Sequence, residues 1–313
     1  MIATAGLTLR YPGGVTALDG LTLDVPPGVV GLIGANGAGK TTLIKILLGL
    51  LPPTGGSTRV LDLDPTARGA EIRALVGYMP EHDCLPPDVS ATELVTHLGR
   101  MSGLPAAAAR ERTADVLRHV GLGEERYRPI GGYSTGMKQR VKLAQAVVHD
   151  PRLVLLDEPT NGLDPAGRAE MLALVRRIGS DFGISLVVSS HLLGEVEQIC
   201  DHVVVIDSGR LLRSSTLGAL TRRSPVLAVE VFEGEELLGR RLEAAGLQVR
   251  TEGRVLFVQG GDDAPDVVRD AVADLELGLV RLERRRHHIE ELFRDPEAPQ
   301  DSEQEEAAHA ALR

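Results

Sequence analysis

Tryptophan is missing from this sequence, and tyrosine and phenylalanine supply four residues each in a chain of 313. With aromatics at 3%, the cores have to be packed from Leu, Val, Ile and Ala. Cysteine is scarcer still. Cys84 and Cys200 lie far apart and match no metal-ligand spacing, so two reduced thiols in a cytosolic protein are expected. Basic charge is not in excess: 34 Lys and Arg face 44 Asp and Glu, a net charge of −10. Phosphate backbones select basic faces, so nucleic acid is not an expected partner. Long apolar runs are also wanting. The best of them, "LIKILLGLL", is interrupted by Lys45 and falls far short of a bilayer span. The opening "MIATAGLTLRYPGG" has neither the basic start nor the apolar centre of a signal peptide. A soluble chain is expected, with any membrane role exercised through a partner.

What is present is a hydrophobic share of 43%, enough for real cores, in a length that suggests two domains. Through residue 222 the chain alternates short apolar runs with helical spacing. "VVGLIG" is followed by "TTLIKILLGLL", "RLVLLDEP" by "PAGRAEMLALVRRIG", and "ISLVVSSH" by "LLGEVEQICD". Apolar runs buried on both faces and separated by helices predict an α/β fold with a mostly parallel sheet. "IATAGLTLRY" and "LTLDV" alternate better and predict antiparallel strands added at one side. Between about residues 88 and 150 the pattern is largely helical, and Ser90 with Glu93 three residues on forms a capping-box signature. That stretch reads as a helical subdomain inserted into the core. Residues 223–294 read strand, helix, strand, strand, helix, strand, the ferredoxin-like βαββαβ order of a small α+β domain, with a tight turn at Glu252 and Gly253. Residues 295–313 are rich in Glu, Ala and polar side chains and are expected to be a disordered acidic tail.

"GANGAGKT", residues 34–41, fits G-x-x-x-x-G-K-[ST] between an apolar run and a helical one. Glycines let the backbone wrap round phosphates, and successive N–H groups at a helix start supply positive potential. Gly34, Ala35, Asn36, Gly37, Ala38, Gly39, Lys40, Thr41 and Thr42 are therefore candidate nucleotide contacts, with Lys40 reaching the β- and γ-phosphates and Thr41 offering a hydroxyl to Mg²⁺. "LVLLDEP" supplies the complement: Asp157 at the strand tip to hold Mg²⁺ and Glu158 beside it to polarise water. Acids often cap buried strands, so this pair gains its weight from the phosphate loop. His191 ends an apolar run, where a lone histidine is more often structural; at the ligand edge of an open sheet it can instead meet a phosphate. The "HH" of "RRRHHIEELF" lacks a third ligand and does not read as a metal site.

"YSTGMKQR", residues 133–140, is a second helix start with a hydroxyl and a glycine at its mouth. Together with the phosphate loop, the "DE" strand and the strand-end histidine, it resembles the ATP-binding subunit of ATP-binding-cassette (ABC) transporters. "YSxGMxxR" is similar to the signature of the exporter branch that includes daunorubicin-type drug-resistance ATPases. The resemblance implies a P-loop NTPase core over residues 1–222, ATP and Mg²⁺ as ligands, and a head-to-tail dimer of two copies. In that dimer Ser134 and the Gly136 backbone would meet the γ-phosphate held by the partner copy. Tyr11 matches the aromatic that stacks on adenine, its alternative being an ordinary edge-strand tyrosine. Asp164 matches the loop joining the two sites, and His191 the switch histidine. Glu81 stands where the family usually has a glutamine that reaches Mg²⁺ and the attacking water; a carboxylate also ligates Mg²⁺. Tyr133, Thr135 and Met137 depart from the commoner signature at side chains that need not touch phosphate.

The function implied is an ATP-hydrolysing exporter motor at the cytoplasmic face of the membrane, peripheral through a separate multi-spanning permease. The rival class acts on ribosomes or DNA. Its ribosomal members usually carry two cassettes in one chain, and its chromosomal members insert long coiled coils before the "DE" strand; neither pattern is present. A regulatory module that binds ATP without hydrolysing it is disfavoured by the intact Lys40, Asp157, Glu158 and His191.

Overall fold

The computed structural model describes residues 1–220, 226–261 and 263–284. The expected acidic tail and the "IEELF" segment lie outside the described residues. The chain divides into two compact units, Met1–Leu217 and the part from Gly218 onward.

In the first unit the elements run β1 (Ile2–Arg10), β2 (Thr16–Val25), β3 (Val29–Ile33), α1 (Lys40–Leu47), β4 (Gly55–Val60), α2 (Pro65–Leu75), β5 (Val76–Met79), α3 (Ala91–Met101), α4 (Ala106–His119) and α5 (Thr135–Val147). They continue through β6 (Leu153–Asp157), α6 (Pro165–Phe182), β7 (Ser185–Ser190), α7 (Leu193–Ile199), β8 (His202–Asp207) and β9 (Arg210–Thr216), to a short helix α8 (Leu217–Leu220) at the boundary. The main sheet has the order β5-β6-β7-β3-β8-β9, parallel except for the edge strand β9. Its interior strand β6 is buried at all five residues, which is why it reads as a continuous apolar run. β9 alternates between exposed and half-buried, as an edge does.

β1 and β2 do not extend this sheet. They are antiparallel as expected, but they join β4 in a separate three-stranded sheet of order β2-β1-β4. Alternation reveals an antiparallel pair but not which sheet it joins.

The helical stretch contains α3 and α4 followed by α5. Ser90 caps α3 with the expected box: its hydroxyl accepts from the Glu93 N–H, and the Glu93 carboxylate accepts from the Ser90 N–H at 2.9 Å.

The second unit contains β10 (Val226–Val231), α9 (Glu235–Ala244), β11 (Gln248–Glu252), β12 (Val255–Gln259), α10 (Ala264–Asp274) and β13 (Leu279–Arg284). Its sheet has the order β11-β12-β10-β13 and is antiparallel throughout. Leu227, Val229, Leu256 and Val258 on one sheet face pack with Leu238, Leu242, Val268 and Val272 from the two helices. The hairpin turn sits one residue later than expected. Glu252 still pairs with Val255, and Gly253 with Arg254 forms the two-residue loop. Gly253 supplies the positive φ of 62° that a tight hairpin needs at its first loop position, and Glu252 can remain in the strand.

Candidate functional site

Strand register brings the candidate residues to one edge. β6, β7 and β3 are neighbours, with Asp157 opposite Ser189 and Ser190 opposite Ile33. The residues that follow, Glu158, His191 and Gly34, therefore emerge side by side at the carboxyl ends of parallel strands, where open α/β sheets bind ligands.

The phosphate loop turns from β3 into α1. Gly39 occupies a φ of 104°, and a Cβ there would stand 2.6 Å from the Ala17 carbonyl oxygen, so the position excludes side chains on both counts. No side chain caps α1 and no acid lies in its first turn, which leaves its leading N–H groups for an external anion. Lys40 is only 7% exposed. Its ammonium donates to the Gly34 carbonyl at 2.6 Å and lies 3.3 Å from Glu158 Oε1.

Asp157 is fixed through both oxygens. Thr41 Oγ1 donates to Oδ2 at 3.0 Å and Ser189 Oγ donates to Oδ1 at 2.7 Å. The same serine hydroxyl accepts the Glu158 N–H at 3.0 Å. Glu158 itself sits at φ 49°, a left-handed backbone that non-glycine residues seldom adopt and that concentrates at functional sites. His191 Nδ1 lies 2.9 Å from Glu158 Oε2. An ionised carboxylate only accepts, so this contact assigns the proton to Nδ1. Glu158 Oε1 is buried and, although near Lys40, makes no aligned hydrogen bond. Tyr78, on the strand next to β6, has its phenol pushed up to about 12 by burial and then by the Asp157 charge, so it stays neutral here.

Glu81 joins this group. A cavity of about 290 Å³ is lined by Asn36, Gly37, Lys40, Thr41, Glu81 and Glu158 among others. Glu81 Oε1 accepts from Asn161 Nδ2 at 3.2 Å. Its segment is tied to α5 by two lysines: Lys142 donates to the Glu81 carbonyl at 2.8 Å, and Lys138 pairs with Asp83 at 2.8 Å. Burial lowers the Lys142 pKa. Tyr11 is placed by its hydroxyl, 3.2 Å from Thr42 Oγ1 on α1.

Ser134, Gly136 and Asp164 do not line that cavity. Within one chain Ser134 caps its own helix, accepting the Met137 N–H at 3.3 Å, and Asp164 caps α6 through the Gly167 N–H at 3.0 Å. Sequence reasoning did not single out Ser189, which bonds both Asp157 and the Glu158 N–H, nor Thr160 and Glu195, which bond each other at 2.8 Å. The signal for Ser189 is the pair of serines that closes the run "SLVVSS" of β7.

The donor set suits a nucleoside triphosphate with a hard divalent cation. The uncapped α1 start and buried Lys40 favour phosphate, and the Thr41 hydroxyl and Asp157 carboxylate are hard oxygen ligands. Among the described residues, no three of His, Cys, Asp and Glu could hold a metal ion by themselves. A cation here would complete its shell from phosphate and water.

Fold and site define a P-loop nucleotide-binding protein. The ABC transporter family model matches residues 18–161. The daunorubicin/doxorubicin resistance ATP-binding protein of Streptomyces peucetius is 36% identical, over 92% of this chain and 86% of that protein. The Nod factor export ATP-binding protein I of Ralstonia nicotianae is 32% identical, over 94% and 92% respectively. Among solved structures, an ATP-binding subunit of an ABC transporter superposes with a TM-score of 0.62 at 29% identity, over 71% of this chain and 92% of that one. The chain belongs to the ATP-binding subunits of ABC transporters, and it is an ATPase.

Proposed function

We propose that the chain is the motor of an exporter, closing on ATP as a head-to-tail pair and driving a separate membrane permease. The observation that carries this reading is the Lys40–Glu158–His191 cluster beside the Thr41–Asp157 pair, on one sheet edge. ATP lies against residues 34–42 with adenine on Tyr11. Glu158 polarises the water that attacks the γ-phosphate, and His191 holds that carboxylate while facing the phosphate. Thr41, Asp157 and Glu81 would hold Mg²⁺, which would neutralise charge on the phosphate oxygens. Ser134 and Gly136 of a second copy complete the phosphate shell, and Asp164 lies in the segment between the two sites.

The cargo in this reading is a drug, lipid or other hydrophobic compound, and export is supported by relatives named for daunorubicin/doxorubicin resistance and for Nod factor export. Among the described residues no helix is long and apolar enough to cross a membrane. In this reading the permease is a separate chain that holds this one at the cytoplasmic face.

The test is a tagged pull-down from detergent-solubilised native membranes, with ATP and the Glu158→Gln variant to hold the complex closed. A multi-spanning protein in stoichiometric amount is the expected yield. Ribosomal or DNA-associated proteins, with nothing membrane-embedded, would replace the transport reading by the rival class.

A further inference from the structure

Glu195, in the first turn of α7, is 8% exposed and has no ion-pair partner among the described residues. Its Oε2 accepts two hydroxyls, Thr160 Oγ1 at 2.8 Å and Ser190 Oγ at 2.8 Å. Ser190 Oγ also lies 3.3 Å from the Leu192 carbonyl, but its single proton favours the shorter contact with the carboxylate. Glu195 Oε1 is buried with no hydrogen-bond partner. Both hydroxyl donors are themselves buried, Thr160 at 3% and Ser190 at 1% exposure.

An acid in this state is a poor device for stability. A buried charge without a counter-charge is costly, and an apolar residue of similar size often serves a core as well or better. The helix start offsets part of that cost. What the carboxylate achieves is a joint. Thr160 follows Glu158 by two residues, and Ser190 immediately precedes His191. One oxygen thus fastens the loop leaving β6 to the end of β7, on either side of the 2.9 Å contact between Glu158 and His191. The seat of α7 is equally constrained: a Cβ on Gly31 in β3 would stand 2.1 Å from Val196 Cγ1, so only glycine allows the helix this close to the sheet.

We propose that Glu195 is a positioning residue for ATP hydrolysis, locking the Glu158 and His191 backbones in register through Thr160 and Ser190. This rests on the reading of Glu158 as the group that polarises water. The cluster touches none of residues 34–42, so its loss acts mainly on turnover.

The experiment is steady-state ATP hydrolysis by the full-length chain with Glu195→Ala, Glu195→Gln, Thr160→Val, Ser190→Ala and the Thr160/Ser190 double variant. Misplacing a reacting group by about 1 Å costs up to about 100-fold. For Glu195→Ala, kcat is expected to fall about 10- to 100-fold, with KM for ATP within about twofold. Glu195→Gln keeps an oxygen that accepts both hydroxyls and is expected to recover most of the rate. Thr160→Val and Ser190→Ala each lose part of it, and their double variant falls no further than Glu195→Ala, as parts of one joint behave. If Glu195→Ala does not fold, the two hydroxyl variants carry the test. Wild-type kcat in Glu195→Ala or in the double variant overturns the proposal. So does a loss that tracks a lowered urea midpoint and is not relieved by Gln. Glu158→Gln, run alongside, separates the premise: full hydrolysis there removes the reading of Glu158, whereas loss there with normal Glu195 variants removes the joint alone.

Discussion

Replacing Glu158 by Gln is expected to lower the ATP turnover rate by about 10²- to 10⁴-fold, the usual contribution of a general base, while leaving ATP binding intact or tighter. The residue is held from three sides: its N–H by Ser189, one carboxylate oxygen by His191, and the other facing Lys40 across 3.3 Å. Glutamine reproduces the size and most of the contacts but removes the negative charge that, in the proposed mechanism, polarises water. The left-handed backbone at φ 49° belongs to the position and not to the acid, so the fold should survive the exchange. Single-turnover measurement with γ-labelled ATP separates the chemical step from product release. Hydrolysis near the wild-type rate would remove Glu158 from its assigned role and leave the strained backbone without a purpose.

The second large effect is expected at Lys40. In Lys40→Ala, ATP affinity should fall by about 10- to 100-fold or more, since a hydrogen bond to a charged group contributes about 1.5–3 kcal/mol and the proposed site gives the ammonium such bonds to phosphate. A second consequence follows from burial. Lys40 and Glu158 are both 7% exposed at the side chain, so removing the cation leaves the Glu158 carboxylate in the protein without a fixed positive charge beside it. Breaking a buried pair from one side typically costs about 3–5 kcal/mol. The variant should therefore lose urea stability as well as nucleotide affinity, and Lys40→Ala combined with Glu158→Gln should regain part of the stability but none of the affinity. Calorimetric titration with ATP and equilibrium unfolding measure the two quantities independently. Unchanged affinity in Lys40→Ala would place the phosphates elsewhere than on residues 34–42.

The parts of this site that were legible in the sequence are those whose signal is local. Eight consecutive residues carry the phosphate loop, and an unbroken apolar run points directly to Asp157, because β6 is buried on both faces. Ser90 and Glu93 announce the start of α3 for the same reason: a capping box is closed within one helical turn. The residues that hold the geometry are different. Ser189 reaches Asp157 and Glu158 from more than 30 positions away, and Glu195 reaches Thr160 from 35. Serine, threonine and glutamate near the ends of elements are ordinary surface residues by composition. Only strand order, which puts β6 beside β7, turns them into a network. The same limit explains the three-stranded sheet, since alternation in β1 and β2 is blind to pairing partners, and the hairpin after β11, where one residue of register is decided by which position needs positive φ. Ser134 is the converse case. Its local role as a helix cap is legible and present, but a part played in a second copy's site cannot be seen within one chain.

In the proposed mechanism a working site needs two copies closed on ATP. Light scattering measures this as the mass of Glu158→Gln with ATP and Mg²⁺, with ADP, and without nucleotide. The mass of two chains is expected only with ATP and Mg²⁺, reduced to one by adding Ser134→Glu, which sets a carboxylate against the phosphate. The mass of one chain at saturating ATP, with binding verified in the same sample, would contradict it.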